Sequence, residues 1–126
     1  MSIRLLFVED DPFYGSILKR HLDEAGFDVM PASHGEAAIE LAKSASPQMV
    51  LLGMKLSRKD GWEVLETVRA SDWGAELPVI LLSPLGTKED VDRAFALGAT
   101  DYLIKTHHAA EDIVELVRKH LFPAYV

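Results

Sequence analysis

Short apolar runs alternate with amphipathic stretches along the chain, and this alternation restricts the fold more than any other feature of the sequence. Strand-length apolar runs occupy residues 3–8, 27–30, 49–52, 79–82 and 102–104. An amphipathic stretch follows each run, which is typical of strand–helix units repeated around a parallel sheet. We therefore predict an α/β fold, a flavodoxin-like doubly wound sheet of five parallel strands in the order 2-1-3-4-5 with five helices.

Helix ends are marked by residues with known capping preferences. Pro12 suits the first turn of helix 1 and Gly26 ends it, Ser33 can cap helix 2, Asp60 opens helix 3, and Gly98 ends helix 4. Helix 5 is predicted over residues 110–121. Helical spacing predicts inner faces that include Ile17, Leu18 and Leu22 in helix 1, Trp62, Leu65 and Val68 in helix 3, Val91, Ala94 and Phe95 in helix 4, and Ile113, Leu116, Val117, His120 and Leu121 in helix 5.

Composition limits the class of protein. A chain of 126 residues with 48% hydrophobic and 26% charged residues fits one globular domain, residues 1–126. No apolar run approaches the roughly 20 residues that span a bilayer, so we expect no membrane partner. The absence of cysteine fits a cytoplasmic location. A net charge of −7 argues against direct contact with nucleic acid.

Polar residues follow the predicted strands at the points where the strands end. Because the carboxyl ends of parallel strands form one crevice, Glu9, Asp10, Gly53, Ser83 and Lys105 are expected to converge there. Carboxylates such as those after strand 1 can hold a cation. The end of strand 3, in contrast, offers no side chain at all.

Several segments, in this order and at these spacings, resemble the receiver domain of bacterial two-component response regulators over essentially the whole chain. The segments are residues 6–12, 50–52, 60–65, 78–83 and 97–105. The resemblance implies that an aspartate at the end of strand 3 accepts phosphate from a histidine kinase, and this position is Gly53. It also implies that Glu9 and Asp10 match the acids that hold Mg²⁺. Ser83, Tyr102 and Lys105 match the hydroxyl, the aromatic switch and the lysine that respond to the phosphoryl group.

Departures from the family pattern cluster around the missing acceptor. Leu56-Ser57 replaces the usual Met-Pro, Thr106 replaces the proline after the lysine, and Lys55 adds a cation. The chain therefore resembles an atypical receiver, a pseudo-receiver, and not an enzyme; we predict no catalytic residue and no cofactor beyond weak Mg²⁺ at Glu9 and Asp10. We also expect the ammonium group of Lys105 or Lys55 to pair with one of those two acids and so act as a substitute cation.

The preferred functional hypothesis is a protein-interaction module in signalling that works without aspartyl phosphorylation. The resemblance implies a partner surface on helix 4, strand 5 and helix 5, and a homodimer is a further option. The surface residues are Lys88, Asp92, Arg93, Tyr102, Glu111 and Glu115.

Two alternatives remain open. One is an ordinary phosphate-accepting regulator, either with its acceptor aspartate replaced at position 53 or with an unusual acceptor residue. The other is a flavodoxin-like cofactor binder, which the acidic turn Glu9-Asp10-Asp11-Pro12 disfavours because it would repel a phosphate.

Overall fold

Five parallel strands form the sheet of the structure, a computed structural model that describes residues 2–122. The elements are β1 (Arg4–Val8), α1 (Pro12–Glu24), β2 (Asp28–Ala32), α2 (Gly35–Ser44), β3 (Met49–Gly53), α3 (Gly61–Ala70), β4 (Val79–Ser83), α4 (Lys88–Ala96), β5 (Asp101–Ile104), a 3-10 turn (Lys105–His107) and α5 (Ala110–Leu121). The strand order is β2-β1-β3-β4-β5, and every neighbouring pair is parallel. The predicted fold class is confirmed.

The hydrophobic core lies on both faces of the sheet. Strands β3 and β4 are buried at every position, as expected for strands covered by helices on both sides. One face packs against α2, α3 and α4, and the other packs against α1 and α5. Each fully buried Leu or Ile contributes roughly 1.5–3 kcal/mol relative to an exposed one. The sheet is therefore a rigid base that fixes where its strand ends point.

Polar side chains cap the helices that lead away from the strand ends. Asp11 caps α1, because its Oδ1 accepts hydrogen bonds from the backbone N–H groups of Phe13 and Tyr14. The prediction that Ser33 caps α2 is wrong. Strand β2 continues to Ala32, so the helix starts later, and His34 is the cap, with its Nδ1 accepting from the N–H of Ala37 at 3.2 Å.

Some predicted inner-face residues lie at the surface. Ile17 and Phe95 are 36% and 47% exposed, while Leu18 and Ala94, their neighbours in sequence, are buried. Consecutive helical residues point in directions about 100° apart, so a narrow contact stripe buries one and leaves the other outside. Trp62 is only half-buried. Within residues 2–122, no helix is long and apolar enough to cross a membrane.

Candidate functional site

The candidate site is the crevice at the carboxyl ends of β1, β3 and β5. Glu9 follows β1, Gly53 is the last residue of β3, and Lys105 follows β5. The Lys105 ammonium Nζ lies 2.6 Å from Glu9 Oε1. A Cβ atom added at Gly53 would lie 3.4 Å from the same Glu9 oxygen. The Glu9 carboxylate therefore borders the space where a side chain at position 53 would begin.

The Glu9–Lys105 ion pair is largely shielded from solvent. The Glu9 side chain is 4% exposed and the Lys105 side chain 18%. The second Glu9 oxygen, Oε2, accepts a hydrogen bond from the backbone N–H of Asp11 at 3.1 Å. Oε1 therefore has an ionic partner in Lys105 but accepts no hydrogen bond among the described residues, whereas Oε2 has a backbone donor. The Glu9 charge is thus already neutralised by a cation at close range.

Tyr14 covers the other side of the lysine. Lys105 Nζ lies 4.4 Å from the centre of the Tyr14 ring, a distance suited to a cation–π contact. The Tyr14 hydroxyl is buried and has no hydrogen-bond partner among the described residues. Burial, and secondarily the negative charge of Glu9, raises the pKa of Tyr14 to about 12. The sequence reasoning missed this residue, although it lies four positions before the buried Leu18 and so on the same helix face.

The other two predicted charged residues lie outside the pair. Asp10 and Lys55 are both exposed, and neither forms an ion pair within residues 2–122. They nevertheless line one small pocket together with Glu9 and Lys105. Of the two lysines predicted as a substitute cation, the structure places Lys105 against an acid and leaves Lys55 in solvent.

Ser83 and Tyr102 both contact the loop that joins β4 to α4. Ser83 is buried, and its Oγ accepts a hydrogen bond from the backbone N–H of Leu85 at 3.3 Å. The Tyr102 hydroxyl donates to the carbonyl oxygen of Leu85 at 2.8 Å. The two side chains therefore hold the same residue of the loop, one from the end of β4 and one from β5.

The structure does not bring the predicted surface residues into one cluster of contacts. Lys88 and Asp92 pair with each other within α4 at 2.7 Å, and Arg93 stacks over Trp62 of α3 at 4.2 Å. On α5, Glu115 pairs with Arg118, and Glu111 lies 3.9 Å from His21 of α1. The α5 acids thus neighbour α1, whereas Arg93 faces α3.

The crevice does not fit a magnesium ion well. Mg²⁺ requires near-octahedral oxygen ligands, usually one or two carboxylates with phosphate and water. Here position 53 supplies no carboxylate and Glu9 is already paired with a lysine. Within the described part of the chain, no group of three His, Cys, Asp or Glu side chains is placed to hold a metal.

Comparison with known proteins identifies the family. The model of the response regulator receiver domain matches residues 5–118. The signal receiver domain of a protein assigned as the Luxo repressor of Vibrio parahaemolyticus superposes with a TM-score of 0.89 at 26% identity, covering 99% of this chain and 94% of that one. The chain belongs to the response regulator receiver domain family.

Curated relatives carry names that place them in transcription control. The chain is 38% identical over 109 residues to a probable transcriptional regulatory protein of Salmonella typhimurium, SilR, covering 86% of this chain and 47% of the relative. It is 33% identical over 108 residues to the DNA-binding dual master transcriptional regulator RpaA of a Synechocystis strain, covering 86% and 45%. The chain thus spans about half the length of these relatives, which are named as regulators and not as enzymes.

These names correct the predicted partners. The expectation of protein partners through helix 4, strand 5 and helix 5, with no direct contact with nucleic acid, is wrong because relatives of the chain include a DNA-binding transcriptional regulator. The exclusion of nucleic acid was based on the net charge of −7, which describes only these 126 residues. Charge on a receiver segment carries no information about what the rest of a longer regulator contacts.

Proposed function

We propose that this receiver domain takes part in signal transduction without phosphorylation of an aspartate at the end of β3. The observation that supports the proposal is the pair formed by Glu9 and Lys105 at 2.6 Å beside a glycine at position 53. An acyl phosphate requires a carboxylate nucleophile, and position 53 supplies only hydrogen. Because the curated relatives are named as transcriptional regulators, we further propose that the domain serves transcription control.

Neighbouring residues are poor substitutes for the missing acceptor. Both Glu9 oxygens are engaged, one by the Lys105 ammonium and one by the N–H of Asp11, which lowers the nucleophilicity of the carboxylate. Ser57 is exposed in the loop after β3 and has no hydrogen bond from its side chain to a general base in the described residues. A serine hydroxyl without a base is a weak nucleophile at neutral pH.

The loop contacts support a fixed output conformation. Ser83 and Tyr102 both bind Leu85, so the hydroxyl and the aromatic ring that would respond to a phosphoryl group are engaged in its absence. In this proposal the β4–α4 loop has one arrangement, which does not depend on phosphate. A single domain over residues 1–126 and a cytoplasmic location, consistent with a chain free of cysteine, belong to the same proposal.

The test is incubation with acetyl phosphate and Mg²⁺, followed by intact-mass measurement. We expect no gain of a phosphoryl group by the wild-type chain. The positive control is Gly53→Asp, which adds a carboxylate at the strand end. Beryllofluoride should likewise leave the NMR signals of Ser83, Leu85 and Tyr102 unchanged in the wild type. An acid-stable but hydroxylamine-sensitive phosphoryl adduct on the wild-type chain would contradict the proposal.

A further inference from the structure

We propose that the Lys105 ammonium is a built-in cation that excludes Mg²⁺ from this crevice. The inference rests on the proposed function in one respect, since both depend on the missing carboxylate at position 53. It adds a separate claim: with glycine at position 53, the acids after β1 are still able to bind a divalent cation, and the pairing of Lys105 with Glu9 prevents them.

The charges near the acids are already nearly balanced. The pocket is lined by the carboxylates of Glu9, Asp10 and Asp11 and by the ammonium groups of Lys55 and Lys105. Asp11 uses Oδ1 to cap α1, so it is directed toward the helix. Glu9 is neutralised by direct contact with Lys105, and only Asp10 remains as an exposed acid without an ion pair in the described chain. A single exposed carboxylate is a weak site for a strongly hydrated ion.

Lys105 is held in place from two sides. Glu9 Oε1 lies 2.6 Å from its ammonium group, and the Tyr14 ring lies 4.4 Å away. A magnesium ion that bound Glu9 would have to displace the ammonium and leave it facing another positive charge at close range. Two like charges a few ångströms apart repel by several kcal/mol even at an effective dielectric constant near 20.

Position 53 borders the ion pair formed by Glu9 and Lys105. A Cβ at position 53 would lie 3.4 Å from Glu9 Oε1 and 3.0 Å from the carbonyl oxygen of Val8. The glycine supplies no carboxylate that could pair with Lys105 in place of Glu9.

The experiment is an NMR titration with MgCl₂ at constant ionic strength on three proteins: wild type, Lys105→Met and Lys105→Arg. Methionine keeps the length of the side chain and removes the charge, whereas arginine keeps the charge. We expect the amide signals of Glu9 and Asp10 to show no saturable shift in the wild type or in K105R. In K105M we expect saturable shifts. The Mg²⁺ dissociation constant of K105M should be at least about tenfold below the lower limit that the wild-type titration sets for its own dissociation constant.

A second variant locates the ion and separates this inference from the proposed function. Glu9→Gln combined with K105M removes the acid, and we expect it to lose the Mg²⁺ response of K105M. Saturable Mg²⁺ binding to the wild-type crevice overturns the inference, and so does a K105M protein as unresponsive as the wild type. If K105M does not fold, Lys105→Gln is used in its place. The wild-type titration does not depend on either variant, and saturable Mg²⁺ binding there overturns the inference. Wild-type Mg²⁺ binding without an acyl phosphate overturns this inference only, whereas an acyl phosphate overturns the proposed function.

Discussion

Lys105 is the residue whose removal leaves the largest uncompensated charge in the crevice. Its replacement by methionine would strand the Glu9 carboxylate, whose side chain is 4% exposed. Breaking a fully buried pair costs about 3–5 kcal/mol, and Lys105 retains some solvent contact, so we expect K105M to lower the free energy of unfolding by roughly 2–4 kcal/mol. Urea denaturation measures this value from the shift in midpoint.

Two comparison variants serve as controls for the stability of K105M. Lys55→Met changes an exposed lysine of the same pocket that has no ion pair within residues 2–122, and it should shift stability by no more than about 0.5 kcal/mol. The double variant Glu9→Gln with K105M removes both charges and should be more stable than the sum of the single losses implies. Equal stability of K105M and the wild type would show that the ion pair has no energetic role.

Tyr14 gives a second prediction at the scale of one residue. Its pKa is about 12, against an ordinary value of 10.0, because burial and the Glu9 charge oppose the phenolate. The folded pKa is above the unfolded one, so this contribution to stability is complete below pH 10 and is lost as the pH rises toward 12. The stability difference between wild type and Tyr14→Phe should therefore change in that window. The phenolate absorbance of wild type minus Y14F measures the pKa directly.

Glu9→Gln tests the cause of that shift. Removing the negative charge should lower the Tyr14 pKa, yet leave it above 10.0 because burial is the larger of the two causes. A Tyr14 that titrates at its ordinary pKa in the wild type would mean that the ring does not cover the ion pair in solution.

At the scale of elements, two backbone hydrogen bonds attach the start of α2 to the loop that follows β3. The backbone N–H of Gly35 donates to Ser57 O at 3.1 Å, and the N–H of Glu36 donates to Arg58 O at 3.0 Å. Arg58 and Lys59 both have positive φ, 48° and 72°, which is costly for residues with side chains. The hydrogen bonds to α2 compensate for this strain and hold the loop beside the crevice.

Gly35→Ala tests this attachment. An added Cβ would overlap the carbonyl oxygen of Lys59, so the loop or the helix must move, and we expect a loss of about 1–3 kcal/mol in the free energy of unfolding. The matched control is Gly15→Ala in α1, where the nearest atom to the new Cβ is 3.5 Å away. That change should leave the protein as stable or raise its stability by about 0.5–1 kcal/mol. Equal effects of the two changes on the thermal midpoint would contradict the attachment.

The elements themselves could largely be predicted from the sequence, whereas their ends and cross-chain contacts could not. Continuous apolar runs located β3 and β4 because both faces of these strands are covered. Strand β2 runs through Pro31, which is tolerated because β2 is an edge strand with one side free of the ladder. Acids and lysines at the crevice could be predicted because they follow the strand ends. Which lysine contacts Glu9 could not be predicted, because it depends on loop conformations that residue spacing does not determine. Tyr14 was missed for the same reason.

At the scale of the whole molecule, the core and the crevice are separate sources of stability. The two buried clusters lie on the faces of the sheet, and the ion pair lies at its carboxyl edge. We therefore expect a change at position 53 to leave the fold intact while changing the charge balance of the edge. Gly53→Asp separates the stability that comes from the core from the stability that comes from the crevice. It adds one carboxylate to the crevice of a chain with a net charge of −7.

We expect G53D without metal to be less stable than the wild type by roughly 1–3 kcal/mol, because its Cβ would lie 3.0 Å from Val8 O and its charge beside Glu9. Mg²⁺ should recover this loss, because the added carboxylate gives Lys105 a second acidic partner and so allows Glu9 to bind the ion. A ligand at 100 times its dissociation constant stabilises the folded state by about 2.7 kcal/mol. The thermal midpoint, measured against MgCl₂ at constant ionic strength, should rise for G53D and stay level for the wild type. Gly53→Asn is the matched control, because it adds nearly the same shape without charge and should show the steric cost without the recovery. Midpoints that rise in parallel for wild type and G53D would mean that the carboxylate at position 53 does not control cation binding at this edge.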